Sequence, residues 1–139
     1  MRLRTLSLFT VVFWIATLGL MAEPISVKAL QTWTGSLEDS SLVREMPEGG
    51  VLTTAKEFGR LIKAWGVAEK VPAVDFAQQI VLVATTSGSR LNLNASLDDK
   101  GDLRALALAT RDLRPGFRYA IIVVSKDKVR TVNGKELPK

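Results

Sequence analysis

The run Ile80-Val81-Leu82-Val83-Ala84 puts five apolar side chains in succession. Successive side chains of a strand point to opposite faces, so an unbroken apolar run demands cover on both. Such a strand sits at the centre of a sheet, and the rest of the chain must cover it. Phe117 to Val124 is a second apolar strand, interrupted only by Arg118.

The clearest local signal is a helix. Thr54 stands three residues before Glu57, the pattern of an N-terminal capping box. Phe58, Leu61, Ile62 and Trp65 fall at i, i+3, i+4 and i+7, one face of a helix. Lys56, Arg60 and Lys63 lie off that face. Gly66 stands where a left-handed residue ends a helix. Gly59, inside it, is less favourable than Ala by about 1 kcal/mol, which a close neighbour over that position would explain.

Elsewhere the pattern is β. Ile25 to Trp33 is β-leaning, Leu42 to Met46 reads as a second short strand, and Pro47-Glu48-Gly49-Gly50 reads as a turn. Leu91, Leu93, Ala95 and Leu97 alternate with Asn92, Asn94 and Ser96, which is strand period. Asp98 to Asp102 is a loop, and Leu103 to Ala109 returns as a strand. Val129 to Val132 is a short strand, and Asn133-Gly134 is a hairpin turn. Symmetric closure of the loop sets Leu97 opposite Leu103, Ala95 opposite Ala105, Leu93 opposite Ala107 and Leu91 opposite Ala109. That face is small, and its expected cover is the Phe58/Trp65 face of the helix. The opposite face carries Asn92, Asn94, Ser96, Arg104, Leu106 and Leu108. It is expected either to be partly covered by the amino-terminal segment or to bind a partner. The expected fold is α+β: a mainly antiparallel sheet of five to six strands with one amphipathic helix packed on it.

Residues 1–22 read as a signal peptide, and residues 23–139 as a single α+β domain. Arg2 and Arg4 form a positive start, Leu6 to Leu20 is uncharged, and Leu20-Met21-Ala22 resembles a cleavage site. The alternative is an uncleaved anchor, because Leu6 to Ala22 approaches spanning length. In either case the arginines hold the amino end inside and the body is exported, periplasmic or extracellular.

The chain has no Cys and no His. That excludes a disulfide frame, an imidazole base and a His- or Cys-ligated zinc. Carboxylate, Lys, Ser/Thr and Tyr chemistry remain, and no cofactor or metal is expected. The formal charge is +5, or +3 without Arg2 and Arg4. So small an excess reads as solubility, and nucleic acid is not an expected partner.

Leu61 to Trp65, then Val71-Pro72-Ala73-Val74-Asp75-Phe76, then the Ile80 to Ala84 strand form an order that resembles the carboxyl-terminal domain of the PrcB subunit family, from a secreted protease complex. Gly116-Phe117-Arg118-Tyr119 and Val132-Asn133-Gly134-Lys135 are similar to small exported proteins with such domains. The resemblance covers residues 51 to 137 and departs from the family at Thr85 to Leu91, where the family has a Gly-rich stretch. It implies binding and stabilising of a protein partner, not catalysis.

Among single residues, Asp75 is expected to bond local amides while Phe76 anchors in the core. Asp98, Asp99 and Asp102 lack the spacing of a calcium loop and read as a solvated hairpin loop. Ser125-x-x-Lys128 falls in a turn rather than at a helix start, which disfavours a nucleophile. Trp33 and Trp65 read as core. Arg90, Arg104, Arg111, Arg114 and Arg118 read as a solvated ion-pair network. Ser87, Ser89 and Arg90 form a turn whose alternative role is an anion cradle of loop amides and guanidinium. The binding candidates are Ser87, Ser89, Arg90, Asn92, Asn94 and Arg104, with no catalytic or metal residue nominated. The expected function is an exported non-enzymatic domain that binds or stabilises a protein complex. Alternatives are a small carboxylate/Arg enzyme and a domain tethered to the membrane by an uncleaved amino terminus.

Overall fold

The computed structural model describes residues 22–137, so the segment expected to be a signal peptide lies outside the described residues except for Ala22. Among these residues nine strands and one α-helix run in the order β1 (Ile25–Val27), β2 (Gln31–Leu37), β3 (Val51–Leu52), α1 (Ala55–Trp65), β4 (Gln79–Thr86), β5 (Leu91–Leu97), β6 (Asp102–Ala109), β7 (Phe117–Ser125), β8 (Thr131–Val132) and β9 (Lys135–Glu136). They form a four-stranded sheet, β2-β7-β4-β3, and a five-stranded sheet, β1-β5-β6-β8-β9. Every pairing is antiparallel except β6 with β8.

The two apolar runs are β4 and β7, and they pair side by side at the centre. Val81, Val83, Ile121 and Val123 point to one face, where α1 lays Phe58, Leu61, Ile62 and Trp65. Ile80, Leu82, Ala84, Ile122 and Val124 point to the other, covered by Leu93, Ala95, Leu103 and Val132. The result is three layers, helix on sheet on sheet. Two-sided burial of β4 and β7 therefore follows from their composition.

Helix α1 ends as its sequence dictates. The Thr54 hydroxyl accepts the Glu57 amide at 3.3 Å. Gly66 adopts φ 59° and ψ 34°, and its amide and that of Val67 return to the last-turn carbonyls. Trp65 packs on Phe117 and Tyr119 with ring centroids 5.4 and 5.3 Å away. Phe58 sits between Trp33 and Phe76 at 6.0 and 5.9 Å. Asp75 accepts the Ala77 amide at 3.0 Å, closing the turn that delivers Phe76 to this cluster.

Three expectations need correction. The described residues form nine strands in two sheets, not one sheet of five to six. The additional ones are two- or three-residue strands: β1 and β3 find partners far away in sequence, where no local period can reveal them, while β9 pairs with β8 across the Asn133-Gly134 turn. The Leu93/Ala95/Leu103 face is covered not by α1 but by the rear of the four-stranded sheet. A small face suits sheet-on-sheet contact, whereas the bulky aromatic helix face fills a separate layer. Leu42 to Met46 is not a strand: Ser40–Glu45 is a 3-10 helix capped by Asp39, which accepts the Ser41 amide at 3.0 Å. Short Asp and Ser side chains bond nearby amides and compete with extension. The Leu42 carbonyl then receives the Trp65 indole at 2.8 Å.

Candidate functional site

Strands β5 and β6 form a hairpin with the predicted register, Leu91 opposite Ala109 through Leu97 opposite Leu103. Its inner residues meet the core near the turn. Its outer face presents Asn92, Asn94, Arg104, Leu106 and Leu108, all exposed. The expected cover from the amino-terminal side is absent among the described residues, because β1 pairs edge-on with Ala95–Leu97 and widens the sheet instead. Leu106 and Leu108 are 56% and 54% exposed, a high fraction for large apolar side chains on one face.

The far edge of β6 is open. Its pairing with β8 covers only Asp102 and Leu103. The Asn133 amide donates to the Leu103 carbonyl at 2.8 Å, and the Ala105 amide donates to Asn133 Oδ1 at 3.0 Å. The Thr110 amide instead donates toward β5, to the Arg90 carbonyl at 3.1 Å. Odd-numbered residues of β6 therefore turn their backbone groups away from β5 and even-numbered ones toward it. Ala107 and Ala109 hold amides and carbonyls on an edge without a strand neighbour among the described residues. No Lys or Pro interrupts Leu106-Ala107-Leu108-Ala109, although such residues commonly block edges.

The Ser87–Arg90 turn joins β4 to β5 across the two sheets. Its amides are engaged internally: Gly88 donates to Thr86 Oγ1 at 3.0 Å, Ser89 to Asp112 Oδ1 at 2.9 Å, and Arg90 to Thr110 Oγ1 at 3.0 Å. The Ser87 carbonyl accepts the Arg114 amide at 2.8 Å. The anion cradle considered from the sequence thus has its Gly88, Ser89 and Arg90 amides already occupied. Glycine is required here, since a Cβ on Gly88 would strike the Thr110 carbonyl. The Thr110 hydroxyl, the Ser89 amide and the Ser89 hydroxyl hold the Asp112 carboxyl well below the usual carboxylate range.

Asp102 is also a structural anion. It accepts the Gly134 amide and the Thr131 hydroxyl, each at 2.8 Å, and Arg104 Nε at 3.3 Å. The first two bonds, ahead of the arginine, lower its pKa. Asp98 accepts the Lys100 and Asp102 amides at 2.9 Å and shapes the hairpin loop. The Ser125 hydroxyl accepts the Asp127 amide at 3.2 Å, as a turn residue does.

Ser89, Arg90 and Asn92 line one side of a groove of about 710 Å³ between β2 and the open end of the hairpin. Thr34, Ser36 and Arg118 line the other side. Burial pushes the neighbouring Tyr119 phenol up from its ordinary value. Asn94 and Arg104 lie farther along the outer face, and Ser87 is outside the groove. Of the six candidates, three are therefore brought together with Arg118. The signal for Arg118 was its charge inside an otherwise apolar strand. Thr34 and Ser36 gave none, because their approach to the hairpin depends on the stacking of two sheets. A second hollow of about 710 Å³, lined in part by Glu45, Glu57 and Arg60, lies beside α1 and the β8–β9 hairpin. It carries both signs of charge, including an Arg60–Glu45 pair at 3.5 Å. Among the described residues no helix is long and apolar enough to cross a membrane.

No protein-family model, no curated protein and no solved structure matches this chain.

Proposed function

We propose that this chain is an exported, non-enzymatic binding domain that stabilises a protein complex by accepting an extended segment of its partner as an added strand on β6. The observation that carries this is the open edge at Ala107 and Ala109. Unpaired strand edges supply main-chain hydrogen bonds to an incoming strand, and alternate side chains supply specificity. Leu106 and Leu108, with Asn92 and Asn94 beside them, offer the flanking contact surface. Arg104 and Arg111 stand at the two ends of the edge. They favour a partner segment with acidic flanks over a second copy, which would bring the same cations.

The resemblance of Leu61–Trp65 and Val74-Asp75-Phe76 to the PrcB carboxyl-terminal domain supports a role in stabilising a complex. The carboxylates paired with arginine point the same way. Asp102 and Asp112 give their oxygens to the chain's own amides and hydroxyls, and their lowered pKa values suit fixed anions rather than a base working near neutral pH. A carboxylate/Arg enzyme calls for a carboxylate free to face a substrate. If residues 1–22 stay attached, the same domain works tethered to the membrane.

The test is recovery of a partner by the exported protein, with amide exchange read in the complex. Ala107→Pro removes an edge donor, and Leu108→Lys places a charge on the apolar rim. Both are expected to lose the partner, while Lys56→Glu on α1 keeps it. The Ala107 and Ala109 amides, fast in the free protein, are expected to slow on binding. Unchanged recovery by both variants, with those amides still fast, refutes strand addition. Protection through self-association would reassign the occupant to a second copy.

A further inference from the structure

We infer that the groove between β2 and the open end of the β5–β6 hairpin binds a small organic carboxylate, gripped by Arg118 with Arg90 beside it. Arg118 lies in β7, the strand buried on both faces, so the layers set its position. Its Nη1 atom is buried and has no hydrogen-bond partner among the described residues. A buried donor on a cation left unmatched is strongly disfavoured, and an acceptor entering the groove satisfies it.

The groove's composition narrows that acceptor. Its lining contains Arg90 and Arg118 but no Asp or Glu. Neither arginine joins an ion pair among the described residues. Ser36 is the register partner of Arg118 across β2–β7, and Thr34 lies on the same side of β2. Both hydroxyls are therefore placed to complete an oxyanion's hydrogen bonds. A planar guanidinium fork matches a carboxylate in two parallel bonds. Leu91 and Ala109, from the inner side of the hairpin, provide the apolar wall. A short hydrocarbon body carrying one carboxylate fits this pairing better than a fully polar oxyanion. The volume of about 710 Å³ lies within the range of small-molecule sites. The inference draws on Arg118 and β2, not on the β6 backbone edge, so it and strand addition can fail independently.

The probe is butyrate, with butyramide as its neutral analogue and chloride at matched ionic strength, followed by NMR of the arginine side chains. Butyrate is expected to shift the Arg118 and Arg90 Nε–H resonances saturably, with a dissociation constant on the order of 1 mM. Butyramide and chloride are expected to leave them in place. Arg118→Met is expected to weaken binding by about tenfold or more. Arg90→Met changes an exposed side chain without risk to the core and is expected to weaken it too. Arg118→Lys keeps the charge but loses the fork, and its expected loss of affinity covers the case in which Met disturbs packing. Shifts that never saturate, equal shifts with butyramide, or unchanged affinity in the Arg118→Lys and Arg90→Met variants overturn the inference.

Discussion

Asp102 joins distant parts of the five-stranded sheet through one carboxylate. Its side chain is 16% exposed, and it holds both the Thr131 hydroxyl and the Gly134 amide. These two bonds fix the short β8–β9 hairpin against β6. Because they lower the folded pKa, ionised Asp102 stabilises the fold at pH above the unfolded value, about 3.9. That contribution is lost as pH falls from there through the lower folded value. Asp102→Asn is expected to lower stability by about 1–2 kcal/mol near neutral pH. The deficit should shrink on acidification from about pH 5 to about pH 2, because the wild-type carboxyl becomes neutral as well. Denaturant melts of both proteins across that range measure it, and a deficit constant with pH contradicts the assignment. In sequence, Asp102 was indistinguishable from Asp98 and Asp99. Its partners lie about thirty residues downstream, and only the parallel β6–β8 pairing brings them close.

At the scale of elements, legibility followed the range of the interactions that define each one. Helix α1 was readable because its cap, apolar face and Gly66 terminus all lie within thirteen residues. The β5–β6 register was readable because the loop is short and the alternation regular. What covers that hairpin was not readable, since both α1 and the rear of the four-stranded sheet are apolar. The candidate site divides in the same way: Ser89, Arg90 and Asn92 are local to one turn and strand, while Thr34 and Ser36 reach them only through packing. Gly59 tests how well α1 itself is understood. A Cβ built there meets only Val71 Cγ2 at 3.7 Å, an ordinary contact, so the close neighbour suggested by the sequence does not exclude a methyl group. Gly59→Ala is expected to raise stability by about 0.5–1 kcal/mol, through helix propensity and a less free unfolded chain. A lower denaturation midpoint in the variant would show that the helix approaches Val71 more tightly than this geometry allows.

At the scale of the molecule, β4 and β7 carry both cores on alternating residues. Val81 faces α1 while Leu82 faces the hairpin, and Ile121 and Ile122 divide in the same way. A side chain lost from either outer layer loosens strands that the other layer also needs. The two cores are therefore expected to unfold together. Leu103→Ala removes a fully buried side chain from the rear core. It is expected to cost about 2–5 kcal/mol, as is Leu61→Ala in the front core. Trp33 and Trp65 both report on the front layer. In a Trp14→Phe background, their fluorescence midpoint in denaturant should fall for Leu103→Ala as much as a backbone signal does. Tryptophan and backbone transitions that separate in Leu103→Ala would mean that the helix layer stays folded on the sheet after the hairpin has left. The β6 edge would then open independently of the core, and rigid presentation of Ala107 and Ala109 by the central sheet would no longer support the proposed strand addition.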